Sequence, residues 1–292
     1  RKTAYLIIDS HTHILPPDVI SDMPKFMSND KTLYNLFHNG GKLSTADSLL
    51  DSMDRNNVDF SVVMGMGWAD HSFNSYVNDY LMESHINSDG RLVPVTGITP
   101  QHGDIGIYEA ERCISIGSHG FGEIHISEQG MSGKSFHFFE PYMKILAAEN
   151  FPLVVHSSEP VGHLYPGKGQ TNPQELEKLV QNFPDNKIIL AHWGGGILFY
   201  EMMKEVSELM SNVFYDTAAT PLLYKNEMFG ASLNIVGAKK ILFGSDYPLI
   251  DQKKILKILK TQLFSDEDKT LIYGEIAAKV FKINTSHRTV GI

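Results

Sequence analysis

Two histidines separated by a single residue, His11 and His13, close an apolar run in the stretch IIDSHTHILP (Ile7 to Pro16). Side chains at i and i+2 of a strand point to one face, so this spacing can bring two imidazole nitrogens to one cation. Taken alone, the same pair reads more readily as two polar loop residues than as metal ligands. Three later stretches add to it. FPLVVH (Phe151 to His156) and KIILAHWGGG (Lys187 to Gly196) each carry an apolar run into a histidine, His156 and His192, and ILFGSDYP (Ile241 to Pro248) leads into Asp246. A lone aspartate before a helix is more often an N-cap than a ligand. Four such arrivals, each at the end of its own apolar run, point instead to a shared metal site built from strand ends. Imidazole is the commonest metal ligand, and 13 histidines is a high count for 292 residues.

Something must hold those ends together. Short runs rich in Val, Ile and Leu, each followed by a helical stretch, are the pattern of parallel strands buried on both faces. Eight are expected: Ala4 to Asp9, Asp59 to Met66, Leu92 to Ile98, Gly120 to Ile126, Pro152 to His156, Lys187 to Ala191, Val213 to Asp216 and Lys240 to Phe243. The intervening helices carry caps: Ser44 or Thr45 before Ala46 to Asn56, Asp104 before Ile105 to Ile116, and Pro173 opening Gln174 to Asn182. Two further helices, Gln252 to Leu263 and Asp266 to Phe281, are expected around the outside. Eight strand–helix units predict an α/β fold of the (β/α)8 TIM-barrel type, which takes about 250 residues as one domain. An open doubly wound sheet is disfavoured, because His-Thr-His stands where that fold often carries a glycine-rich phosphate turn. The whole chain, 1–292, is expected to be one such domain. Residues 14–41, with Pro16 and Pro17, read as an inserted lid-like loop.

Composition narrows the partners. A formal charge of −9, with both signs mixed along the chain, argues against nucleic acid, which calls for a basic patch. No apolar stretch approaches the roughly 20 residues that span a bilayer. The single cysteine, Cys113, has no internal disulfide partner, which suggests a reducing, cytoplasmic setting. A small-molecule substrate is the expected partner.

The motifs His11-Thr12-His13, His156, His192 and Gly244-Ser245-Asp246 resemble the amidohydrolase superfamily, in its amidohydrolase-related branch that includes aminocarboxymuconate semialdehyde decarboxylase. LDSMDRNNVD (Leu50 to Asp59) and IAAKVF (Ile276 to Phe281) also resemble family segments, although Ile276 stands where members usually carry Asn. The resemblance covers nearly the whole chain. It implies His11, His13, His156 and Asp246 as metal ligands, with His192 either a catalytic imidazole or a ligand of a second metal. It also implies a homodimer in many members. Strand 4, GFGEIHIS (Gly120 to Ser127), ends where two-metal members place a bridging Lys or Glu, which makes Glu123 a candidate ligand and leaves one or two ions open. A buried glutamate needs a partner, and a salt bridge to a neighbouring strand would serve equally. His125 shares its face.

Zn2+ is the expected ion, because a zinc site with an open position lowers the pKa of water to near 7. Asp246 is then the base that orients water, and His192 hydrogen-bonds that water or polarises the substrate carbonyl. That apparatus predicts hydrolysis of a small amide, ester or lactone-type bond. Non-oxidative decarboxylation on the same site is the alternative, and a barrel that only binds metal is a third reading. The arginines (Arg1, Arg55, Arg91, Arg112, Arg288) avoid the expected strand ends, which disfavours a dicarboxylate substrate. Substrate contacts are expected from His163, Tyr165 and Lys168 in the loop SSEPVGHLYPGKGQ (Ser157 to Gln170), and from Trp193; Tyr200, Asp216 and Tyr247 are further pocket candidates.

Overall fold

The structure is a computed structural model that describes residues 5–131 and 133–287; Ala4, Arg1 and Arg288 lie outside the described residues. Among the described residues there are eight parallel strands: β1 (Ile8–Thr12), β2 (Phe60–Met64), β3 (Leu92–Val95), β4 (Phe121–Ile124), β5 (Leu153–Val155), β6 (Ile188–Leu190), β7 (Val213–Asp216) and β8 (Ile241–Leu242). They pair in sequence order as a three-stranded and a five-stranded sheet. Backbone hydrogen bonds then cross both seams. Between β3 and β4, Thr96 N donates to Gly120 O at 3.2 Å and Gly122 N to Thr96 O at 3.0 Å; between β8 and β1, Ser10 N donates to Phe243 O at 2.8 Å and Asp246 N to His11 O at 2.9 Å. The ring of strands is closed, and among the described residues no strand edge is left to pair with another chain.

Inward-facing Ile8, Phe60, Val62, Val93, Val154, Ile189 and Leu242 fill one end of the barrel, and Ile276, Ala277, Val280 and Phe281 from the last helix pack against them. Larger side chains fill the layer between strands and outer helices, among them Phe121, Tyr142, Leu153, Leu190, Tyr215 and Phe243. Every strand is therefore buried on both faces, which is why its sequence reads as a continuous apolar run and not as an alternation.

Three departures from the sequence reading have physical causes. Strand β1 runs from Ile8 to Thr12 and leaves out Tyr5 to Ile7, so His11 lies inside the strand; its limits are set by the ladder to β2, in which Ile8 faces Phe60, and the apolar run cannot show where a partner begins. The excursion read as a loop is helical: α1 (Pro17–Ser21), α2 (Met23–Asn29) and α3 (Lys31–Phe37). Leu15, Val19, Leu33 and Leu36 pack there against Trp68, Phe73 and Val77, a small core of its own. Asp30 caps α3 by accepting from Leu33 N at 2.8 Å, and its other oxygen accepts from Asp70 N at 2.8 Å. The final helix is broken: Asp266–Thr270, a π-helical turn at Leu271–Glu275, then Ile276–Val280. The wider turn lets Ile272 O accept from Phe243 N at 3.0 Å, tying the helix to the end of β8. No described helix is long and apolar enough to cross a membrane.

Helix α4 (Ala46–Asn56) begins as its sequence suggests, with Thr45 accepting from Ser48 N. So does the helix Pro173–Asn182, where Asn172 accepts from Gln174 N and Glu175 N ahead of the proline. At Asp104–Ser115, however, Asp104 is already helical and Gly103 occupies the cap position.

Candidate metal centre

Five histidines and two carboxylates from five different strand ends meet at the carboxyl mouth of the barrel. His11 Nε2 lies 3.1 Å from His13 Nε2, and both lie 3.4 Å from Glu123 Oε2. Asp246 Oδ1 stands 3.8 Å from the first and 3.6 Å from the second. The other oxygen of Glu123 faces His156 Nδ1 at 3.0 Å and His192 Nε2 at 3.3 Å, and these two nitrogens are 3.2 Å apart. His125, stacked on His156 with ring centroids 4.3 Å apart, presents Nε2 to Glu123 Oε2 at 3.2 Å. Three triads of donors are compact enough for an ion: His11, His13 and Asp246; His11, Glu123 and His192; and Glu123, His125 and His156.

The outer nitrogens show what the inner ones are for. His11 Nδ1 is held by Asp216 Oδ2 at 2.8 Å, His13 Nδ1 by Met64 O at 3.4 Å, His156 Nε2 by Lys168 O at 3.1 Å and His192 Nδ1 by Ala218 O at 3.3 Å. A carbonyl or carboxylate oxygen only accepts, so each anchored nitrogen carries the ring proton, and the inward nitrogen of the neutral ring offers a lone pair. With all four rings neutral, four lone pairs converge. Two nitrogens bound to one tetrahedral Zn2+ at about 2.05 Å each lie about 3.3 Å apart, and the inward separations of 3.1 and 3.2 Å match that spacing. The donor set fits a divalent cation.

Local backbone turns aim these groups. Asp246 (φ 66°) and His192 (φ 54°) are left-handed, a conformation that L residues enter at a cost and that clusters at functional sites. Asp9, fully buried, takes hydrogen bonds from Ser245 N and Oγ and from Gln252 Nε2, which fixes the turn leading to Asp246.

Burial opposes charge at every group here, and at all but His156 the partners decide the outcome. At His11, Asp216 and Glu123 outweigh burial and raise the imidazole well above its ordinary range. At Glu123, His11 and His125 outweigh it and hold the carboxyl well below its own. Burial, and then His125, push His156 down to about 4. His192 rises against burial to about 9 because it faces Glu123.

A cavity of about 360 Å3 opens above the centre. His13, Glu123, His125, His156, His192 and Asp246 form its polar floor, and Leu36, Phe37, Met66, Leu222, Leu223 and Leu249 form much of its wall. His163 and Tyr165 line it, as the loop sequence suggests. Lys168 does not: its ammonium donates to Val161 O at 2.7 Å and His163 O at 3.0 Å, bracing its own loop, while its carbonyl anchors His156. Trp193 does not either. It is fully buried, its indole N–H donates to Thr220 Oγ1 at 2.9 Å, and its ring meets the edge of Phe229. Tyr200 and Tyr247 are also off the wall; the Tyr247 hydroxyl donates to Ser48 O at 3.1 Å. Asp216 stands behind His11 and accepts from His192 N at 2.9 Å and Ala218 N at 3.0 Å, so it positions two donors at once. Sequence reasoning missed Lys42, the one lysine or arginine on the wall among the described residues, and the apolar side chains of the excursion.

Residues 8–283 match the family model Amidohydro_2, described as amidohydrolase. The chain belongs to the amidohydrolase family. No curated protein matches it in sequence. Among solved structures it is similar to 5-carboxyvanillate decarboxylase from Novosphingobium aromaticivorans, complexed with manganese and 4-hydroxy-3-methoxy-5-nitrobenzoic acid: 16% identity, TM-score 0.78, covering 96% of this chain and 97% of that one. It is also similar to 2,6-dihydroxybenzoate decarboxylase from Rhizobium (16% identity, TM-score 0.65, 96% and 98% covered). A third is dihydroxybenzoic acid decarboxylase from Polaromonas, with bound manganese and the inhibitor 2-nitroresorcinol (16% identity, TM-score 0.69, 99% and 100% covered). At this identity the likeness is one of fold.

Proposed function

We propose that this amidohydrolase-family enzyme removes carbon dioxide from a small aromatic carboxylic acid, using a divalent cation held by His11, His13, His156, Asp246 and Glu123. The observation that carries the reading is the convergence of anchored imidazoles on the floor of a cavity whose wall is apolar and ring-sized. The similar structures with named reactions are decarboxylases, two of them holding manganese beside an aromatic ligand. That supports decarboxylation over hydrolysis, which the sequence alone ranks first, and Mn2+ as well as Zn2+ as the ion.

A divalent cation bound there supplies Lewis acidity: it polarises a carboxyl or carbonyl oxygen and acidifies water. The chain's own groups do the rest. Phe37, Leu222, Leu223 and Leu249 hold the ring and exclude water around it. The bond from ring to carboxyl carbon breaks, its electron pair stays on the ring carbon, and carbon dioxide leaves. Asp246, on the cavity floor beside the histidines, takes up a proton from water and delivers it to that carbon, and His192 hydrogen-bonds the departing carboxyl group. Residues 14–41 act as a lid, since Leu36, Phe37 and Lys42 come from or adjoin that segment.

Hydrolysis remains a second reading on one specific observation. The two oxygens of Glu123 face different sets of imidazoles, so the residues present would hold two cations as readily as one, and the second would supply further Lewis acidity and a more acidic water. Metal-loaded protein assayed in parallel for released carbon dioxide on hydroxybenzoic acids and for acid release on lactones, esters and amides separates the two. Carbon dioxide release is the expected result. Hydrolysis without it would reverse the assignment.

A further inference from the structure

At the pole of the barrel opposite the metal centre, two further imidazoles share a cavity. It holds about 430 Å3 at the amino ends of β2, β3 and β4, and His85, Asp89, Gly90, His119 and Lys282 line it. His85 stands in the last turn of α5 (His71–Asn87), and His119 comes just before β4. Each ring is fixed through Nδ1, His85 by Leu92 O at 2.7 Å and His119 by Phe281 O at 2.6 Å. A carbonyl oxygen only accepts, so both Nδ1 atoms carry the ring proton, and the Nε2 of each neutral ring offers a lone pair. Among the described residues neither Nε2 has a hydrogen-bond partner. Burial, with His85 and Lys282 adding to it, holds His119 below the ordinary imidazole range, so no proton occupies its lone pair at neutral pH.

The two ring centroids lie 6.2 Å apart. Imidazoles bound to one tetrahedral Zn2+ through Nε2, at about 2.05 Å each, place their centroids about 5.2 Å apart, so a side-chain movement of about 1 Å closes the bridge. The surrounding charge favours a cation: α5 turns its negative carboxyl end to this cavity, and Asp89 follows directly. Lys282 is the one lysine or arginine on the lining among the described residues, and its ammonium is engaged by Glu149 O at 2.7 Å and by the Phe151 ring at 4.9 Å. We infer that His85 and His119 bind one nitrogen-preferring divalent cation, of the class of Zn2+, Ni2+ and Cu2+, with water completing its shell. The position gives the ion a role. The strands divide between β3 and β4 into a three-stranded and a five-stranded sheet. His85 is tied to the first residue of β3, and His119 N donates across the same seam to Pro94 O at 2.8 Å. A cation held by both histidines therefore staples the seam, whichever reaction the mouth of the barrel catalyses.

The test is equilibrium dialysis of the full chain against Zn2+, with bound metal counted in the wild type, His85→Asn and His119→Asn. Asparagine keeps an N–H for the anchoring carbonyl and removes Nε2. Neither residue belongs to the centre at the mouth, so the ions held there are common to all three proteins and cancel in the comparison. Each variant should hold about one zinc fewer per chain than the wild type. Two readouts on the wild type need no variant to fold. Nitrogen NMR should show the Nε2 resonances of His85 and His119 moving together as that ion binds. Hydrogen exchange at Thr96 and Gly122, whose amides cross the seam, should slow about tenfold at a free zinc concentration about ten times Kd. Equal zinc in all three proteins, a loss in only one variant, or seam exchange that zinc leaves unchanged overturns the inference.

Discussion

Replacing Asp216 by asparagine exchanges one oxygen for an amide nitrogen at a position with no exposure to solvent. The retained Oδ1 can still accept from His192 N and Ala218 N, now at 2.9 and 3.0 Å, so the backbone after β6 and β7 keeps its support. The change falls on the other atom. Oδ2 lies 2.8 Å from His11 Nδ1, and an amide nitrogen there presents N–H to a nitrogen that already carries a proton. Two donors cannot share that contact. His11 must shift its proton to Nε2, the nitrogen facing His13, Glu123 and Asp246, and thereby gives up the lone pair it would offer a cation. Loss of such an outer partner costs about 10- to 100-fold in metal affinity, or about 1.4 to 2.8 kcal/mol at 1.4 kcal/mol per tenfold.

The assay is competition between metal-free protein and a chromophoric chelator for Mn2+ and for Zn2+ at fixed pH. Near-ultraviolet circular dichroism checks that the fold is intact, and nitrogen NMR shifts of the imidazole report the His11 tautomer directly. Asp216→Ala is the harsher control: it leaves two buried N–H groups unpaired, at about 1–3 kcal/mol each, and should lower stability where the asparagine variant does not. An Asp216→Asn protein that is folded, has the other His11 tautomer and still binds metal within twofold of wild type would refute the argument that anchored ring nitrogens define this centre.

Three further outcomes are expected. Glu123→Gln removes the charge that faces five imidazoles, so bound metal measured by elemental analysis should fall by at least one ion per chain, and an unchanged count would show that Glu123 is only an ion-pair partner. Burial pushes the Cys113 thiol up to about 12 and leaves it no exposed surface, so it should resist thiol reagents at pH 8 in the native protein and react as one equivalent in guanidinium; native-state labelling at the unfolded rate would contradict its packing. Asp30→Ala removes both the α3 cap and the bond to Asp70 N, about 1–2 kcal/mol, which should appear as faster hydrogen exchange in residues 31–37 with little change in barrel strands. Uniform loss of protection across the chain would mean that the excursion is not a separately stabilised unit.

Strand ends were the legible part of this chain. An apolar run buried on both faces has a composition that shows in one dimension, and a polar residue at its end stands out against it, which is how His156, His192 and Asp246 can be picked out without coordinates. Side-chain direction was not legible. At His192 and Trp193 two successive left-handed residues, with φ of 54° and 59°, send one ring into the mouth and the next into the core, whereas sequence adjacency suggested that both faced substrate. Lys168 misleads for a related reason: its charge is spent on carbonyls of its own loop, and the atom that matters to the site is its backbone oxygen, which any residue could supply. Nor could spacing show that Asp216, at the end of β7, sits behind a histidine 205 residues away and not in the pocket.

The electrostatics of the centre carry one more consequence. In the metal-free protein the raised His11 and His192 hold protons at neutral pH, and both of their inward nitrogens face Glu123, at 3.4 and 3.3 Å. A cation binding those nitrogens must displace the protons, because a ligating imidazole is neutral at the ligating atom. Loading at pH 7 should therefore release about two protons per chain if both histidines ligate, and about one if His192 does not. The sign with pH follows from the shift: His192 is raised to about 9, so its contribution should fade as pH rises through that value, and that of His11, raised in the same direction, should also fade with rising pH. Calorimetric titration of metal into the protein in two buffers of different ionisation enthalpy gives the count at each pH. Release that is absent at pH 7, or that grows with pH, would mean that these imidazoles are already neutral in the empty site and that Glu123 is paired in some other way.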